Sequence, residues 1–157
     1  MINSIYILIP VYNEEKKIES VVTQLSSVFE NIVTVNDGSS DSTKEILESL
    51  DVITLNHSIN LGQGAAISTG LKYIQELNDA IAVVTFDADG QHSVDDAKAF
   101  AEEILLCEEE IIFGSRFVDN AANIPFIKKI VLSIVIFFPN RFSRISLSDA
   151  HNGLKAI

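Results

Sequence analysis

Apolar residues come in short bursts along this chain, separated by polar stretches that carry most of the glycine. Ile5 to Ile9 is a first burst, rich in β-branched residues, and reads as a strand. Glu14 to Phe29 repeats its apolar residues at helical spacing, with Ile18, Val21, Val22, Leu25 and Val28 on one face. Ile32 to Val35 reads as a second strand. Asp41-Ser42-Thr43 then opens a helix through Leu50, with Asp41 or Ser42 as its cap. Val52 to Leu55 is a third strand, and a glycine-rich turn leads into a helix from about Ala65 to Leu77. Ala80 to Phe86 is apolar almost throughout, as a buried parallel strand should be. A helix over Val94 to Leu106 and a strand at Ile111 to Phe113 follow.

Strands alternating with helices predict an α/β fold, a mostly parallel sheet with helices on both faces. Ligands of such sheets bind at the carboxyl ends of the strands. The polar segments fall there: Pro10 to Glu15, Asn36 to Asp41, Asn56 to Gly64, and Asp87 to His92. No internal repeat, low-complexity tract or linker divides the chain, so one domain over residues 1–157 is expected.

Composition narrows the function. With 47% apolar and 21% charged residues, the 157-residue chain is an ordinary globular one. A net charge of -11 argues against nucleic acid as a partner. It also means that a phosphate ester substrate would need local positive charge, which a divalent cation can supply. The single cysteine, Cys107, excludes an internal disulfide and suits a reducing cytoplasm. Met1 to Ser4 lacks the basic region of a signal peptide, and no apolar run reaches about 18 residues, so neither a leader nor a membrane span is expected.

The sharpest candidate chemistry is Asp87-Ala88-Asp89-Gly90-Gln91-His92, directly after the fourth strand. Alternation along an extended chain puts Asp87 and Asp89 on one side. With the Gln91 oxygen they form an all-oxygen set suited to Mg²⁺ or Mn²⁺. By itself such an acidic pair is more often a solvated turn or a helix cap. Asn36-Asp37-Gly38-Ser39-Ser40-Asp41 would let backbone N–H groups approach an anion or ribose, with Asp37 accepting from a sugar or base; a capped strand-to-helix turn explains it equally. Leu61-Gly62-Gln63-Gly64-Ala65-Ala66 lacks the Lys-Ser/Thr of a P-loop and sits in the wrong turn for a dinucleotide fingerprint. His57 is expected to cap or pack a turn, and His92 to orient its loop. His151 has Asp149 and Asn152 beside it. No Ser-His-Asp order and no Cys/His metal spacing is visible.

Ile130 to Phe138 is a nine-residue apolar run closed by Pro139. It reads either as a buried helix or as an element lying in a membrane interface, anchored by Lys128, Lys129, Arg141 and Arg144. Phe137 and Phe138 would otherwise serve the core or a homodimer contact.

Taken together, the ordered segments resemble the family 2 glycosyltransferases, whose nucleotide-sugar-binding domain has the GT-A fold. The matching pieces are Ile9 to Glu15, Val35 to Asp41, Asn60 to Gly64, Asp87 to Asp89, Gly114 to Phe117, and Asp149 to Lys155. Asp87 to His92 with Gly114-Ser115-Arg116-Phe117 looks most like the branch that glycosylates polyprenyl phosphates. The resemblance implies an inverting transfer from a UDP- or GDP-sugar to a polyprenyl phosphate, or to a glycan hydroxyl in the alternative reading. A nucleotide-sugar-binding module without activity is a further alternative. It implies a metal held by Asp87, Asp89 and Gln91. The donor would lie against Pro10, Val11, Tyr12, Asn13 and Glu14, against Asp37, Gly38 and Ser39, and against Gly62, Gly64 and Ala88. Asp89 and Arg116 are the implied catalytic residues, with Asp149 as the base if the acceptor is a hydroxyl.

Arg116 and Lys129 would meet the acceptor phosphate, although the family usually has Arg where Lys129 stands. Asn36 stands where the family commonly has Asp, which moves the nucleotide contact to Asp37. The resemblance further implies a donor part over about 1–117 and an incomplete acceptor part over 118–157. It places the protein in the cytoplasm, peripherally on the inner face of the membrane.

Overall fold

The computed structural model describes residues 4–89, 93–106, 112–113 and 155–156. The chain divides into two compact units, Met1–Ile112 with Leu154–Ile157, and Phe113–Gly153. All described residues except Phe113 belong to the first.

Among the described residues ten elements follow one another: β1 (Ile5–Val11), α1 (Ile18–Ser26), β2 (Asn31–Asn36), α2 (Thr43–Ser49), β3 (Ile53–Asn56), α3 (Gln63–Leu77), β4 (Ala82–Thr85), α4 (Val94–Leu106), β5 (Ile112–Phe113) and β6 (Lys155–Ala156). The sheet order is β3-β2-β1-β4-β6-β5. β1 pairs in parallel with both β2 and β4, and β2 with β3. β6 runs antiparallel beside β4, a strand the apolar pattern does not announce because it is two residues long.

β1 shows why a continuous apolar run was needed. Ile5, Ile7, Ile9 and Val11 pack into one core cluster with α1, α2 and α4 residues such as Ile18, Leu25, Leu47 and Ala97. Tyr6 and Leu8 point to the other side and join Val33, Val35, Ala66 and Ile74 under α3. Side chains alternate across a strand, so a strand covered on both faces has no polar positions to spare. Where α3 crosses β1, Gly70 lies against Leu8, and a Cβ there would meet the Leu8 side chain.

β1 extends through Pro10, past the predicted Ile9. The Val11 carbonyl accepts from Asp37 on the β2 side, and the Leu8 carbonyl accepts from Phe86 on the β4 side. Pro10 faces the same way as Leu8, where the β4 pairing has already ended at Thr85. Its missing N–H therefore removes no ladder bond.

Three expectations need correction. α1 begins at Ile18, four residues later than predicted, because Asn13 adopts a left-handed φ of 54° and the chain turns before the helix starts. Val28, placed on the buried face, is 36% exposed beyond the helix end, and Phe29 is buried instead. Ile81 is 63% exposed, since β4 begins only at Ala82.

Candidate active site

The carboxyl ends of β1, β2 and β4 surround a cleft of about 400 Å³. Pro10, Val11, Tyr12 and Glu14 line it from the end of β1, and Asp37 from the end of β2. Asn60, Gly62, Gln63 and Ala66 come from the β3–α3 turn and the start of α3, and Asp87, Ala88 and Asp89 follow β4. Nine residues implied by the resemblance thus share one cavity, far apart as they are in sequence: Pro10, Val11, Tyr12, Glu14, Asp37, Gly62, Asp87, Ala88 and Asp89.

Asp37 is the most constrained of them, at 2% exposure. Its Oδ1 accepts from the Leu61 N–H at 2.9 Å and lies 2.6 Å from His57 Nδ1, while Oδ2 accepts from the Gly62 N–H at 2.7 Å. Burial alone would raise its pKa. The Leu61 N–H, the His57 ring and the Gly62 N–H outweigh burial and hold the carboxyl below its usual range. His57 Nε2 in turn lies 2.9 Å from Thr69 Oγ1. A Thr69–His57–Asp37 chain therefore exists that the sequence order did not reveal. His57 is not among the residues lining the cleft; with Nδ1–H donating to Asp37, it orients that carboxylate. His57 thus packs a turn, as expected, and braces Asp37 as well.

Asn36 is also buried, donating through Nδ2 to Asn56 Oδ1 at 2.8 Å and accepting from the Ser39 N–H at 3.1 Å. An amide suits this place because it must donate and accept at once, which a carboxylate cannot do.

Four implied donor-contact residues lie outside the cleft lining. The Asn13 N–H donates to Ser39 Oγ at 3.0 Å, and Asn13 Oδ1 accepts from the Ser40 N–H at 2.8 Å, so Asn13 and Ser39 lash two loops together. The same seam continues with the Glu14 N–H on Thr43 Oγ1 at 2.9 Å and the Ser42 N–H on Glu15 Oε2 at 3.1 Å. Asp41 caps the start of α2, accepting from the Thr43 N–H at 3.1 Å; Ser42 makes no side-chain cap bond. Gly38 has a φ of 67°, and a Cβ there would stand 2.6 Å from the Asn60 backbone nitrogen and also against the Ile59 carbonyl carbon. Its glycine is required by the neighbouring loop. Gly64 has open space around it.

At the acidic end, Gln63 Nε2 donates to Asp87 Oδ1 at 2.8 Å. Lys17 Nζ donates to the Asp89 carbonyl oxygen at 2.6 Å. Glu14 has a raised pKa: burial contributes most, Lys17 opposes it, and Asp89 and Asp41 add to it. Gln63, Lys17 and His57 were missed as site residues by sequence reasoning. The signal for Gln63 was its place between two glycines of a quoted motif. Nothing local marked Lys17, which meets its partner 72 residues away.

Among the described residues, no group of three His, Cys, Asp or Glu is arranged to hold a metal ion. Asp87 and Asp89 nonetheless line the same cleft, and their carboxylates are oxygen donors of the kind such cations take. Mg²⁺ is commonly held by one or two carboxylates, with substrate phosphates and water completing its shell. The donor set fits such a cation. Gln91, Arg116, Lys129, Asp149, His92, His151 and Cys107, together with Phe137 and Phe138, lie outside the described residues. Among the described residues no helix is long and apolar enough to cross a membrane.

Comparisons with known proteins agree with this architecture. An N-acetylglucosaminyltransferase of Methanococcus voltae named for UDP-N-acetylglucosamine and dolichyl phosphate is 37% identical, across 97% of this chain and 68% of its own length. A dolichyl-phosphate beta-glucosyltransferase of Trichomonas vaginalis is 32% identical across 72% of this chain and 41% of its own length. The chain thus spans roughly two-thirds or less of these relatives. Glucosyl-3-phosphoglycerate synthase from Mycobacterium tuberculosis, solved with Mn²⁺, UDP-glucose and phosphoglyceric acid, superposes with a TM-score of 0.70. It is 15% identical and is matched over 98% of this chain and 56% of its own. The same enzyme solved with Mg²⁺ and UDP gives 0.63 at 17% identity. The fold is GT-A. Residues 6–155 match the model of the family described as Glycosyl transferase family 2, and the chain belongs to that family.

Proposed function

We propose that this chain transfers a sugar from a nucleoside diphosphate, UDP or GDP, to a polyprenyl phosphate, with a divalent cation at the acidic pair. The observation that carries this reading is the single cleft into which Asp37, Asp87 and Asp89 all open at the carboxyl end of the sheet. The dolichyl-phosphate transferases among its relatives support the choice of acceptor.

The base and ribose lie against Pro10 to Tyr12, Glu14 and Asp37, and the diphosphate lies toward Asp87 and Asp89. A bound Mg²⁺ or Mn²⁺ would act there as a Lewis acid, stabilising charge that builds on the leaving diphosphate. Asp87, Asp89 and Gln91 are the residues that would hold it. Asp37 has both oxygens engaged by internal donors, so it enters as a fixed acceptor with no reorientation needed. In one displacement, an acceptor phosphate oxygen attacks the anomeric carbon, and the bond to the diphosphate oxygen breaks. The nucleoside diphosphate leaves with the electron pair, and the anomeric configuration inverts. The acceptor oxygen is already ionised at neutral pH, so no general base is required. Arg116 and Lys129 are assigned to the acceptor phosphate, in the part of the chain from 118 onward and at its border. The acceptor would bring the protein to the cytoplasmic face of the membrane as a peripheral protein.

Nucleotide binding tests the donor half. In titrations of UDP, GDP and their sugars with Mn²⁺, the parent binds one base preferentially, and Asp89→Asn loses the Mn²⁺-dependent part. Unchanged affinity and unchanged metal dependence in Asp89→Asn would refute the metal site. Transfer assays with a polyprenyl phosphate and with free glycans test the acceptor. Activity on glycans alone, lost in Asp149→Asn, would replace the lipid reading with the hydroxyl one.

A further inference from the structure

The turn between β3 and α3 touches both acidic ends of the sheet. Leu61 and Gly62 donate their N–H groups to Asp37 at the end of β2. One residue later, Gln63 Nε2 donates to Asp87 Oδ1, just past β4. β2 and β4 are not neighbours, because β1 lies between them. Three consecutive residues thus bridge the end of β1 and hold a carboxylate on either side of it.

The two sides differ in what they ask of the sequence. From this turn the Asp37 side is served by backbone N–H groups, which need no particular side-chain chemistry. The Asp87 side needs a side chain at position 63 that is long and carries a donor. It also matters that this donor is neutral. An ammonium would hold Asp87 equally well, but it would place a positive charge where a cation must approach. A glutamine holds the carboxylate without adding a charge of its own.

We infer that Gln63 is a positioning residue for the acidic pair, holding Asp87 in the orientation in which it faces the cleft. This rests on the reading that Asp87 is a metal ligand; partners that orient a ligand commonly matter to affinity nearly as much as the ligand itself.

The test uses the full chain and Mn²⁺ alone, followed by the free-Mn²⁺ resonance signal, with thermal unfolding in parallel. Gln63→Met keeps the length and removes the donor, and it should weaken Mn²⁺ binding about tenfold. Its unfolding midpoint should stay within about 2 °C of the parent, because the side chain is exposed. Gln63→Lys keeps a donor and adds charge. It should weaken Mn²⁺ as well, while binding UDP or GDP more tightly than the parent when no metal is present. Gln63→Met that binds Mn²⁺ within about twofold of the parent overturns the role of Gln63 and leaves the proposed function standing. So does a fall in the midpoint with no change in Mn²⁺ affinity. A parent that binds no Mn²⁺ overturns the metal-site reading, and this inference falls with it.

Discussion

Replacing Asp37 by Asn changes no volume, which makes it a clean probe of the hydrogen bonds that organise the base side of the cleft. Asp37 meets only donors: the Leu61 and Gly62 N–H groups and His57 Nδ1. An asparagine must turn its NH₂ toward one of them. If it faces Gly62, one donor pair clashes; if it faces Leu61 and His57, two do. The better choice loses a bond to a charged acceptor, about 1.5–3 kcal/mol, and turns the two remaining into neutral ones of about 1 kcal/mol each. The expected loss is about 3 kcal/mol at pH 7. The site is 2% exposed, so solvent cannot replace what is lost.

The pH dependence gives a second, independent signature. The Asp37 pKa is lowered in the folded protein. Its stabilisation is therefore complete above the unfolded value of about 3.9 and disappears as pH falls through the folded one. Urea unfolding of parent and Asp37→Asn from pH 7 to pH 3 should show the gap closing only at the acid end. A gap under about 0.5 kcal/mol at pH 7, or one that stays constant down to pH 3, would refute the reasoning.

Other substitutions probe the same architecture. Gly38→Ala should cost at least about 2 kcal/mol, since it combines a left-handed φ with a backbone collision at Ile59 and Asn60. Gly64→Ala, in α3 with open space around it, should stabilise by up to about 1 kcal/mol; equal urea midpoints for the two variants would contradict this assignment. Gly70→Ala should cost about 1–3 kcal/mol by overpacking Leu8, read as a lower midpoint with an unchanged m-value. Glu14→Gln should raise the thermal midpoint by about 1–2 °C while weakening Mn²⁺-dependent nucleotide binding. The Glu14 carboxyl has a raised pKa through burial and the nearby Asp89 and Asp41, so its charged form costs stability at neutral pH and the gain should vanish as pH falls. A lower midpoint would mean that Glu14 is held by a favourable contact.

Where the chain repeats locally, its sequence was easy to read. The alternating faces of β1 and the turn segments at the strand ends placed the cleft, because period and punctuation are properties of neighbouring residues. α1 was drawn too long because Val28 and Phe29 continue its apolar spacing, whereas the backbone leaves the helix before them. The side-chain contacts that finish the cleft were not legible. His57 reaches Asp37 across 20 residues and Gln63 reaches Asp87 across 24. Such pairings depend on which strands become neighbours, and no periodicity records that. The space beside Gly38 is filled by the Ile59–Asn60 backbone, a close approach from another loop that the local sequence does not announce.

Four carboxylates line one cleft in a protein of net charge -11: Glu14, Asp37, Asp87 and Asp89. They are treated differently. Asp37 is given three donors and kept ionised, whereas Glu14 has its charge disfavoured. Near Asp89, Lys17 donates to the backbone carbonyl. Near Asp87 the structure brings a neutral amide. Gathering acidic side chains in one cleft carries a cost in mutual repulsion, which a bound cation would relieve. That cost is the physical reason to expect metal binding to raise the stability of this protein, in proportion to the logarithm of the Mn²⁺ concentration above its dissociation constant. A midpoint indifferent to Mn²⁺ would mean that the acidic pair serves the fold alone.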